Sequence, residues 1–470
     1  MSKKIMIGKN AIIQIILTSL TGIIGFFILS FSARLFGPVV LGNLAYLFSL
    51  TGLIFAFSDL GFSKAHGFYT SSSQNPGKNL FTFLSIKSIL LLTSAIIAFI
   101  YAYFFNTSIS WQLLGLVIVI QVLTRFSDSI LITFEARQLS LPQNLVKMLT
   151  KLSRLISIFI IAKFLTNDLG FSLTYLVEAS LLILLSFFLL TRFSPLSFSK
   201  EIFNKYLIYA LPFFAIVPLS YVQDNSLIII LKQFQPSEQV GFYSASANLS
   251  GSIKTLYAIL MLFFFPKISK LFTQKNHQQI KNYLNMAVKY LLVIFTPIFL
   301  LVFLFRFEII QLILGTEFIE AVPVFSILLL GTYFLMILSP YDQVLFATKN
   351  HRPLILVNLF SLFTAIVVSF WLAPIYGAIG TVIASLSAWV VSGFWHLYLV
   401  KKRLSISLFP QLPLILLPAI TIFILLFSQT LIFRLFLSPL AIISYYLFLI
   451  KLKVITKLDF KYLKSIIKSK

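Results

Sequence analysis

Residues 11–57 read AIIQIILTSLTGIIGFFILSFSARLFGPVVLGNLAYLFSLTGLIFAF, two long apolar runs separated by the short turn RLFGPV at residues 34–39. A helix rises about 1.5 Å per residue, so roughly 20 mostly apolar residues cross the hydrocarbon core of a bilayer. The stretch therefore predicts two transmembrane helices joined by a turn, and this pattern decides the fold class of the whole chain.

The rest of the chain repeats this pattern. Of its 470 residues, 59% are hydrophobic and only 11% are charged, and the mean hydropathy of +0.99 lies far above that of soluble globular chains. The sequence predicts an all-α polytopic membrane protein with fourteen transmembrane helices, at Ala11–Ala33, Val40–Phe57, Thr82–Phe105, Trp111–Thr133, Leu145–Phe164, Phe171–Leu190, Leu207–Leu231, Phe242–Phe265, Tyr283–Phe305, Val322–Leu338, Leu354–Ala373, Ala378–Leu399, Leu412–Phe427 and Leu431–Ile450.

The distribution of basic residues predicts the orientation. With the N-terminus inside, the cytoplasmic segments hold 29 lysines and arginines, whereas the opposite side holds Arg34, Lys163, Lys232, Arg306 and Arg434. The positive-inside rule then places both termini in the cytoplasm, which requires an even number of spans. The net charge of +24 thus reflects basic residues concentrated in the cytoplasmic segments, and we expect no nucleic-acid partner.

The chain carries an internal duplication. FGPVVLG at 36–42 and FQPSEQVG at 234–241 follow the first and seventh predicted helices, and FEARQLSLP at 134–142 is echoed by FATKNHRP at 346–353. Both offsets are near 200 residues, which favours two six-helix halves of the same orientation, although chance among turn residues is an alternative. The predicted domains are a six-helix bundle at 1–192, a cytoplasmic linker at 193–205, a second bundle at 206–403, helices 13 and 14 at 404–450, and a basic tail at 451–470.

The tail has two interpretations. Leu452, Ile455, Leu458, Tyr462 and Ile466 fall on one side of a helix, with lysines mostly on the other. This favours an amphipathic helix on the anionic inner leaflet, and a frayed basic tail is the alternative.

Cations inside the predicted spans indicate where the chain acts. A charge at the bilayer centre costs about 2.5–3.5 kcal/mol, so such residues are functional candidates. Lys147, Lys151 and Arg154 are spaced four and three residues apart, which puts all three on one face of the fifth predicted helix. The predicted cationic substrate-binding cavity consists of Arg154, Lys254, Lys151, Arg125, Lys147 and Lys87. As alternatives, Lys87 and Lys147 could snorkel to the interface, and Arg125 could be neutralised by Asp128.

Acidic residues inside the spans are fewer. Glu178, Asp224 and Asp128 are candidates for proton or sodium coupling, or else are counter-ions of the cations. Asp59 and Glu135 lie at predicted helix ends, where we expect solvated side chains. H⁺ or Na⁺ is the only coupling ion we expect, with no cofactor.

The motifs that the sequence lacks narrow the function further. It has no cysteine, no Walker-type glycine loop, no His-Glu-x-x-His motif and no Gly-x-Ser-x-Gly motif. The four histidines, His66, His277, His351 and His396, are scattered, so we predict loop or interface positions for them. No catalytic residue and no metal site is predicted, and we expect a protein that is not an enzyme.

Several stretches resemble a known family. They are ARLFGP at 33–38, GNLAY at 42–46, SDLGFS at 58–63, GFYSA at 241–245, FPKIS at 265–269 and APIYGAIGT at 373–381. Together they are similar to the polysaccharide-export family that contains the O-antigen (Wzx-type) flippases. Flippases of peptidoglycan precursors carry arginines in their first two helices, whereas here Arg34 stands at the outer end of helix one and helix two has none, which disfavours that relative.

The resemblance implies the fourteen-helix fold of multidrug exporters (MATE-like) and a secondary transporter working by alternating access. It implies a substrate, an oligosaccharide repeat unit on undecaprenyl diphosphate, moved to the outer leaflet for O-antigen, capsule or related polysaccharide export. Polysaccharide polymerase and chain-length machinery are implied partners. The alternatives are a drug or ion antiporter, a peptidoglycan-precursor flippase and, from another class, a membrane-embedded glycan polymerase, which would need paired carboxylates and a large loop.

Overall fold

The computed structural model describes residues 3–104, 110–193, 196–214, 216–274, 276–347, 352–404 and 431–451. Within those ranges every regular element is helical. The helices are α1 Lys3–Phe55, α2 Phe62–Ser71, α3 Pro76–Phe104, α4 Trp111–Ala136, α5 Ser140–Ile161, α6 Asp168–Leu190, α7 Lys200–Ala210, α8 Ile216–Phe234, α9 Ser237–Thr273, α10 His277–Leu304, α11 Arg306–Ile313, α12 Val322–Ala347, α13 Arg352–Leu404 and α14 Leu431–Lys451, with short 3₁₀ turns at Ala56–Ser58, Leu211–Phe213 and Thr316–Ala321.

Two of these helices are broken in the middle. α1 is interrupted at Gly37 (φ 75°, ψ 174°) and α13 at Gly377 (φ 57°, ψ −132°). Both backbones lie in the left-handed region that a side chain disfavours, so glycine permits each break. The two breaks fall at the predicted turns between helices one and two and between helices eleven and twelve.

Seven helical stretches of the described residues are long and apolar enough to cross a membrane. Two of them, of 43 and 50 residues, contain the glycine breaks and exceed twice the length that one span requires. The chain is therefore a multi-pass helical membrane protein, as predicted. The predicted helix thirteen, Leu412–Phe427, and the basic tail beyond Lys451 lie outside the described residues.

The helices expose large apolar side chains to their surroundings. On α3, Ile89 is 67% exposed, Leu92 64% and Phe104 73%. A soluble protein rarely leaves so continuous an apolar surface uncovered, whereas hydrocarbon is its natural environment.

The described chain divides into two compact units. The first comprises Met1–Asn248, Ile313–Glu320 and Ile366–Ala384, and the second comprises Leu249–Leu312, Ala321–Ala365 and Ser385–Lys470. In the second unit α10 and α14 are joined where the Tyr445 hydroxyl donates to the Leu292 carbonyl at 3.1 Å. The first unit holds most of the residues considered below.

α7 overlaps the predicted linker at 193–205. The Ser199 hydroxyl caps its first turn by accepting from the Ile202 amide at 3.4 Å. Its Tyr206 is fully buried beside residues of α2 and α3, so this segment packs against those two helices.

Candidate functional site

One polar cavity lies within the first unit. It has a volume of about 390 Å³ and is lined by side chains of α2, α3, α4, α5 and α8 together with the turn after α1. Its charged and polar lining residues include Lys87, Arg125, Asp128, Lys147, Asp59, Glu135, Ser63, Ser129, Gln143 and Tyr221. Four of the nine residues predicted for substrate binding or ion coupling are therefore brought together: Lys87, Arg125, Asp128 and Lys147.

Lys87 forms a buried ion pair in this cavity. Its side chain is only 5% exposed, and Nζ lies 2.8 Å from Asp59 Oδ1 and donates to the Ser58 carbonyl at 3.0 Å. The expectation that Lys87 snorkels to the interface is wrong, because a partner inside the protein already compensates its charge. The expectation of a solvated Asp59 is also wrong, since its side chain is 16% exposed.

The turn that carries Asp59 has an uncommon backbone. Leu60 has φ 46° and Gly61 has φ 87°, so two consecutive residues adopt positive φ. A leucine in this region is strained, and such strain persists only where surrounding contacts hold it. Here the contacts are the bonds from Lys87 and a short hydrogen bond that the Ser63 hydroxyl donates to Asp59.

Arg125 forms the part of the cavity wall nearest α8. Its Nη1 donates to the Phe55 carbonyl at 3.3 Å and to the Tyr221 hydroxyl at 3.2 Å, and Nε donates to Gln121 Oε1 at 3.1 Å. The guanidinium carbon lies 5.0 Å from the centre of the Tyr221 ring. These hydrogen-bond partners are uncharged and orient the guanidinium, while Asp128 on the same helix lines the cavity beside it.

Carboxylates stand beside the cations on the remaining wall. Asp128 and Glu135 come from α4, Lys147 comes from α5, and Gln143 donates to Glu135 Oε2 at 3.3 Å. The charged lining thus consists of three cations and three carboxylates. The cavity is lined by side chains of both charges. The sequence predicted a cationic cavity, whereas the lining contains as many carboxylates as cations.

Lys151, Arg154 and Glu178 form a second cluster along the same face of α5. Glu178 on α6 accepts from Lys151 at 2.8 Å and from Arg154 Nη1 at 3.4 Å. Arg154 is buried, its guanidinium carbon lies 3.3 Å from the centre of the Tyr175 ring, and its Nε has no hydrogen-bond partner among the described residues. One carboxylate therefore serves two cations here, which leaves the cluster with a net positive charge.

The two remaining predicted site residues are Lys254 and Asp224. Lys254 on α9 belongs to the second unit and is exposed. Asp224 is part of α8 in the first unit, but its side chain lies outside the described residues.

The second unit contains a close contact between a histidine and a carboxyl group that sequence reasoning missed. His396 Nδ1 on α13 lies 2.7 Å from Asp342 Oδ1 on α12. Asp342 follows the predicted end of its span by four residues, so it was not counted among the intramembrane acids. The helix is longer than predicted, and a histidine in the neighbouring apolar helix was the signal that could have identified the pair.

His66 on α2 has a structural environment. It is fully buried, its Nε2 lies 2.8 Å from the Thr133 hydroxyl, and its Nδ1 lies 2.9 Å from the Tyr206 hydroxyl. Burial lowers the pKa of His66 to about 3. The ring therefore stays neutral and ties α2 to α4 and α7. Among the described residues, no group of histidine and acidic side chains could hold a metal ion.

Two comparisons with known proteins give matches. The family model described as "Polysaccharide biosynthesis protein" matches residues 31–323. No curated protein matches the chain. Among solved structures, the lipid II flippase MurJ in an inward closed conformation superimposes with a TM-score of 0.75 at 18% identity, over 94% of this chain and 99% of that one.

Two multidrug transporters of the MATE family are also similar. One, an inward-facing member of the MOP superfamily, has a TM-score of 0.57 at 16% identity over 83% of this chain and 94% of its own. A mutant of the Vibrio cholerae transporter VcmN has a TM-score of 0.55 at 15% identity over 84% of this chain and 99% of its own. At these identities the likeness shows a shared fold, and it confirms the predicted MATE-like architecture.

Proposed function

This chain belongs to the polysaccharide biosynthesis protein family, and on that premise we propose that it is a flippase for lipid-linked oligosaccharides. It carries undecaprenyl-diphosphate-linked repeat units from the cytoplasmic to the outer leaflet of a bacterial plasma membrane, for O-antigen, capsule or a related polysaccharide. The fold shared with a lipid II flippase supports the class of substrate.

The observation that carries the proposal is the set of cations on one polar cavity. Lys87, Arg125 and Lys147 come from three helices of an otherwise apolar bundle. A diphosphate crossing hydrocarbon needs charge-assisted hydrogen bonds. Arg125, whose hydrogen-bond partners among the described residues are uncharged, can give a phosphate two of them. Lys151 and Arg154, one and two helical turns further along α5, extend the positive face.

The finer architecture belongs to the same proposal. It has fourteen spans with both termini in the cytoplasm, two six-helix bundles at 1–192 and 206–403 joined by 193–205, two further helices at 404–450 and a basic tail at 451–470. Alternating access moves the substrate, driven by a proton or sodium gradient through Glu178, Asp224 or Asp128. Lys254 contributes to the substrate path, and polymerase and chain-length proteins take over the product.

The three carboxylates of the cavity favour a second candidate, a MATE-like exporter of cationic compounds. Asp59, Asp128 and Glu135 give a cation as many partners as the lysines and arginine give an anion. The two functions predict opposite effects of one substitution. Arg125→Ala abolishes transport of a diphosphate but spares transport of a cation.

Deleting the gene tests the function directly. A membrane-impermeant sugar-modifying reagent then reports which leaflet holds the lipid-linked oligosaccharide. Complete units trapped on the cytoplasmic side support the flippase, whereas complete but unpolymerised units outside indicate a polymerase. Restoration by the wild type and by Lys64→Ala, which changes an exposed lysine outside the cavity, but not by Arg125→Ala, assigns the defect to the cavity.

A further inference from the structure

We propose that Lys87 exchanges partners when substrate binds: its ammonium leaves Asp59 for a phosphate oxygen, and the Asp59 carboxylate takes up one proton from solvent. The inference rests on the proposed function and deepens it. It makes this ion pair the place where an anionic substrate and a proton are coupled.

The geometry makes Lys87 accessible to a ligand although it is buried. Lys87 as a whole is 4% exposed, yet it lines the cavity of about 390 Å³ together with Asp59. An ammonium group has three N–H donors. Two of them point at Ser58 and Asp59, and no further acceptor of Lys87 lies among the described residues. A phosphate oxygen entering the cavity can engage the third donor before the bond to Asp59 breaks.

Losing Lys87 leaves Asp59 in an unfavourable state. Burial is the largest influence on this carboxyl group and raises its pKa, but the charge and hydrogen bond of Lys87, with the bonds from Ser63, hold the net pKa below the ordinary value. When the ammonium moves to a phosphate, its lowering influence weakens while burial remains. The pKa of Asp59 then rises, and protonation removes a buried charge that lacks its partner.

The cationic neighbours attract the substrate, whereas the acidic neighbours favour protonation of Asp59. The titratable groups that line the cavity with Asp59 are Lys87 on α3, Arg125, Asp128 and Glu135 on α4, Lys147 on α5 and Tyr221 on α8. The helix that follows the turn, α2, also carries the exposed Lys64. Arg125 and Lys147 attract the incoming phosphate. A bound diphosphate also places new negative charge near Asp59, Asp128 and Glu135, which favours the neutral form of the carboxyl group that has just lost its cation.

The exchange of Lys87 between Asp59 and a phosphate limits the change in the net charge of the cavity during transport. With the cavity empty, Lys87 neutralises Asp59. With the diphosphate bound, Lys87 neutralises phosphate and a proton neutralises Asp59, so the net charge of the cavity changes less than the substrate charge alone would require. Proton uptake on binding and proton release after the substrate leaves carry the proton in the same direction as the substrate. The pair therefore compensates the charge of the substrate and does not itself draw on an inward proton gradient.

Infrared spectroscopy of the full-length protein in nanodiscs tests the linkage without any substrate. Lys87→Met removes the ammonium but keeps a chain of similar length. At neutral pH we expect this variant to gain the C=O band of a protonated carboxyl group, and Lys87→Met combined with Asp59→Asn to lose it. The wild type and Lys64→Met, which changes an exposed lysine of α2, lack the band. A folded Lys87→Met protein without the band, or a band that persists in the double variant, overturns the proposal.

A second measurement uses the wild type and therefore does not depend on the folding of Lys87→Met. Inorganic pyrophosphate is added to the protein in weak buffer with a pH indicator. We expect uptake of about one proton per bound ligand, lost in Asp59→Asn and kept in Lys64→Met. Binding without uptake overturns the exchange and leaves the flippase proposal intact. Absence of any binding contradicts both, and the infrared result then shows whether Asp59 itself behaves as inferred.

Discussion

Gly42 and Gly241 end the two similar turns at 36–42 and 234–241, and each lies against the backbone of the other turn. A Cβ atom on Gly42 would stand 1.8 Å from the Ser237 carbonyl oxygen, and one on Gly241 would stand 2.0 Å from the Pro38 carbonyl oxygen. Pro38 and Ser237 each precede their glycine by four residues. Each turn thus contacts the other through the same pair of positions, as in a contact across a local two-fold axis.

Alanine at either glycine is expected to be strongly destabilising. No carbonyl oxygen can remain within 2 Å of a methyl carbon, so the two turns must separate, and overpacking of this kind costs about 1–3 kcal/mol or more. We expect Gly42→Ala and Gly241→Ala to lower the thermal unfolding temperature of the detergent-purified protein by similar amounts.

Gly115→Ala is the matched control, because nothing lies within 4 Å of a Cβ atom at this position of α4. Alanine is a better helix former than glycine, so we expect this variant to be neutral or slightly more stable. If Gly42→Ala unfolds at the same temperature as Gly115→Ala, the two turns do not pack as closely as the structure shows.

The sequence predicted the two similar turns but not the contact between them. The matching letters at 36–42 and 234–241 predicted equivalent turns about 200 residues apart, and the apolar runs predicted the helices on either side. The contact between the two turns could not be predicted. A glycine in the sequence can indicate that a side chain would not fit, but it does not indicate which atom lies there. The atom that fills the space comes from a distant segment.

The candidate site was predicted to a similar extent. Intramembrane cations are visible in a sequence because hydrocarbon tolerates few of them, and four of the nine predicted residues do line one cavity. The partner of Lys87 was not predicted. Asp59 precedes Lys87 by 28 residues in the chain, and a helix-end position gave no reason to bury it. Pairing of this kind depends on how helices pack, which periodicity does not specify.

Glu178 and Arg154 are expected to depend on each other for stability. Removing one partner of a buried ion pair leaves an uncompensated charge and costs about 3–5 kcal/mol. We expect Arg154→Ala to destabilise the protein more than Lys151→Ala, because the Lys151 side chain is 35% exposed and the Arg154 side chain 7%. The free energy of unfolding in denaturant is the measurement.

A double-mutant cycle separates this pairing from general damage. Glu178→Gln combined with Arg154→Met should cost less than the sum of the two single changes, since the second substitution removes the charge that the first leaves unpaired. Additive costs would show that the two side chains stabilise the protein independently.

Position 43 is expected to require an amide side chain, because Asn43 donates a hydrogen bond through its nitrogen and accepts another through its oxygen. Its Nδ2 donates to Asp168 Oδ2 at 2.9 Å, its Oδ1 accepts from the Ser237 hydroxyl, and that hydroxyl accepts from Lys232 Nζ at 2.7 Å. Asn43→Asp replaces the donor with an acceptor beside a carboxylate, which should cost about 1–3 kcal/mol of unfolding free energy.

Exchanging the two groups tests that explanation. Asn43→Asp together with Asp168→Asn restores one amide donor and one carboxylate, so the double variant should recover much of the stability that Asn43→Asp loses. Equal melting temperatures for the double variant and for Asn43→Asp would mean that the amide at position 43 is not needed as a donor to residue 168.

His66 is expected to make the protein sensitive to acid. Its pKa is lowered from 6.5 to about 3 by burial, so between these values the unfolded chain binds a proton that the folded protein does not. The group therefore has no effect above pH 6.5, and below it the folded state loses about 1.4 kcal/mol per pH unit. His66→Gln removes this term, so its melting temperature should fall less steeply from pH 6.5 to pH 4 than that of the wild type, whatever the variant loses at neutral pH. His277→Gln, which changes an exposed histidine, should keep the wild-type slope. Parallel curves for the wild type and His66→Gln would show that the ring accepts a proton in the folded protein.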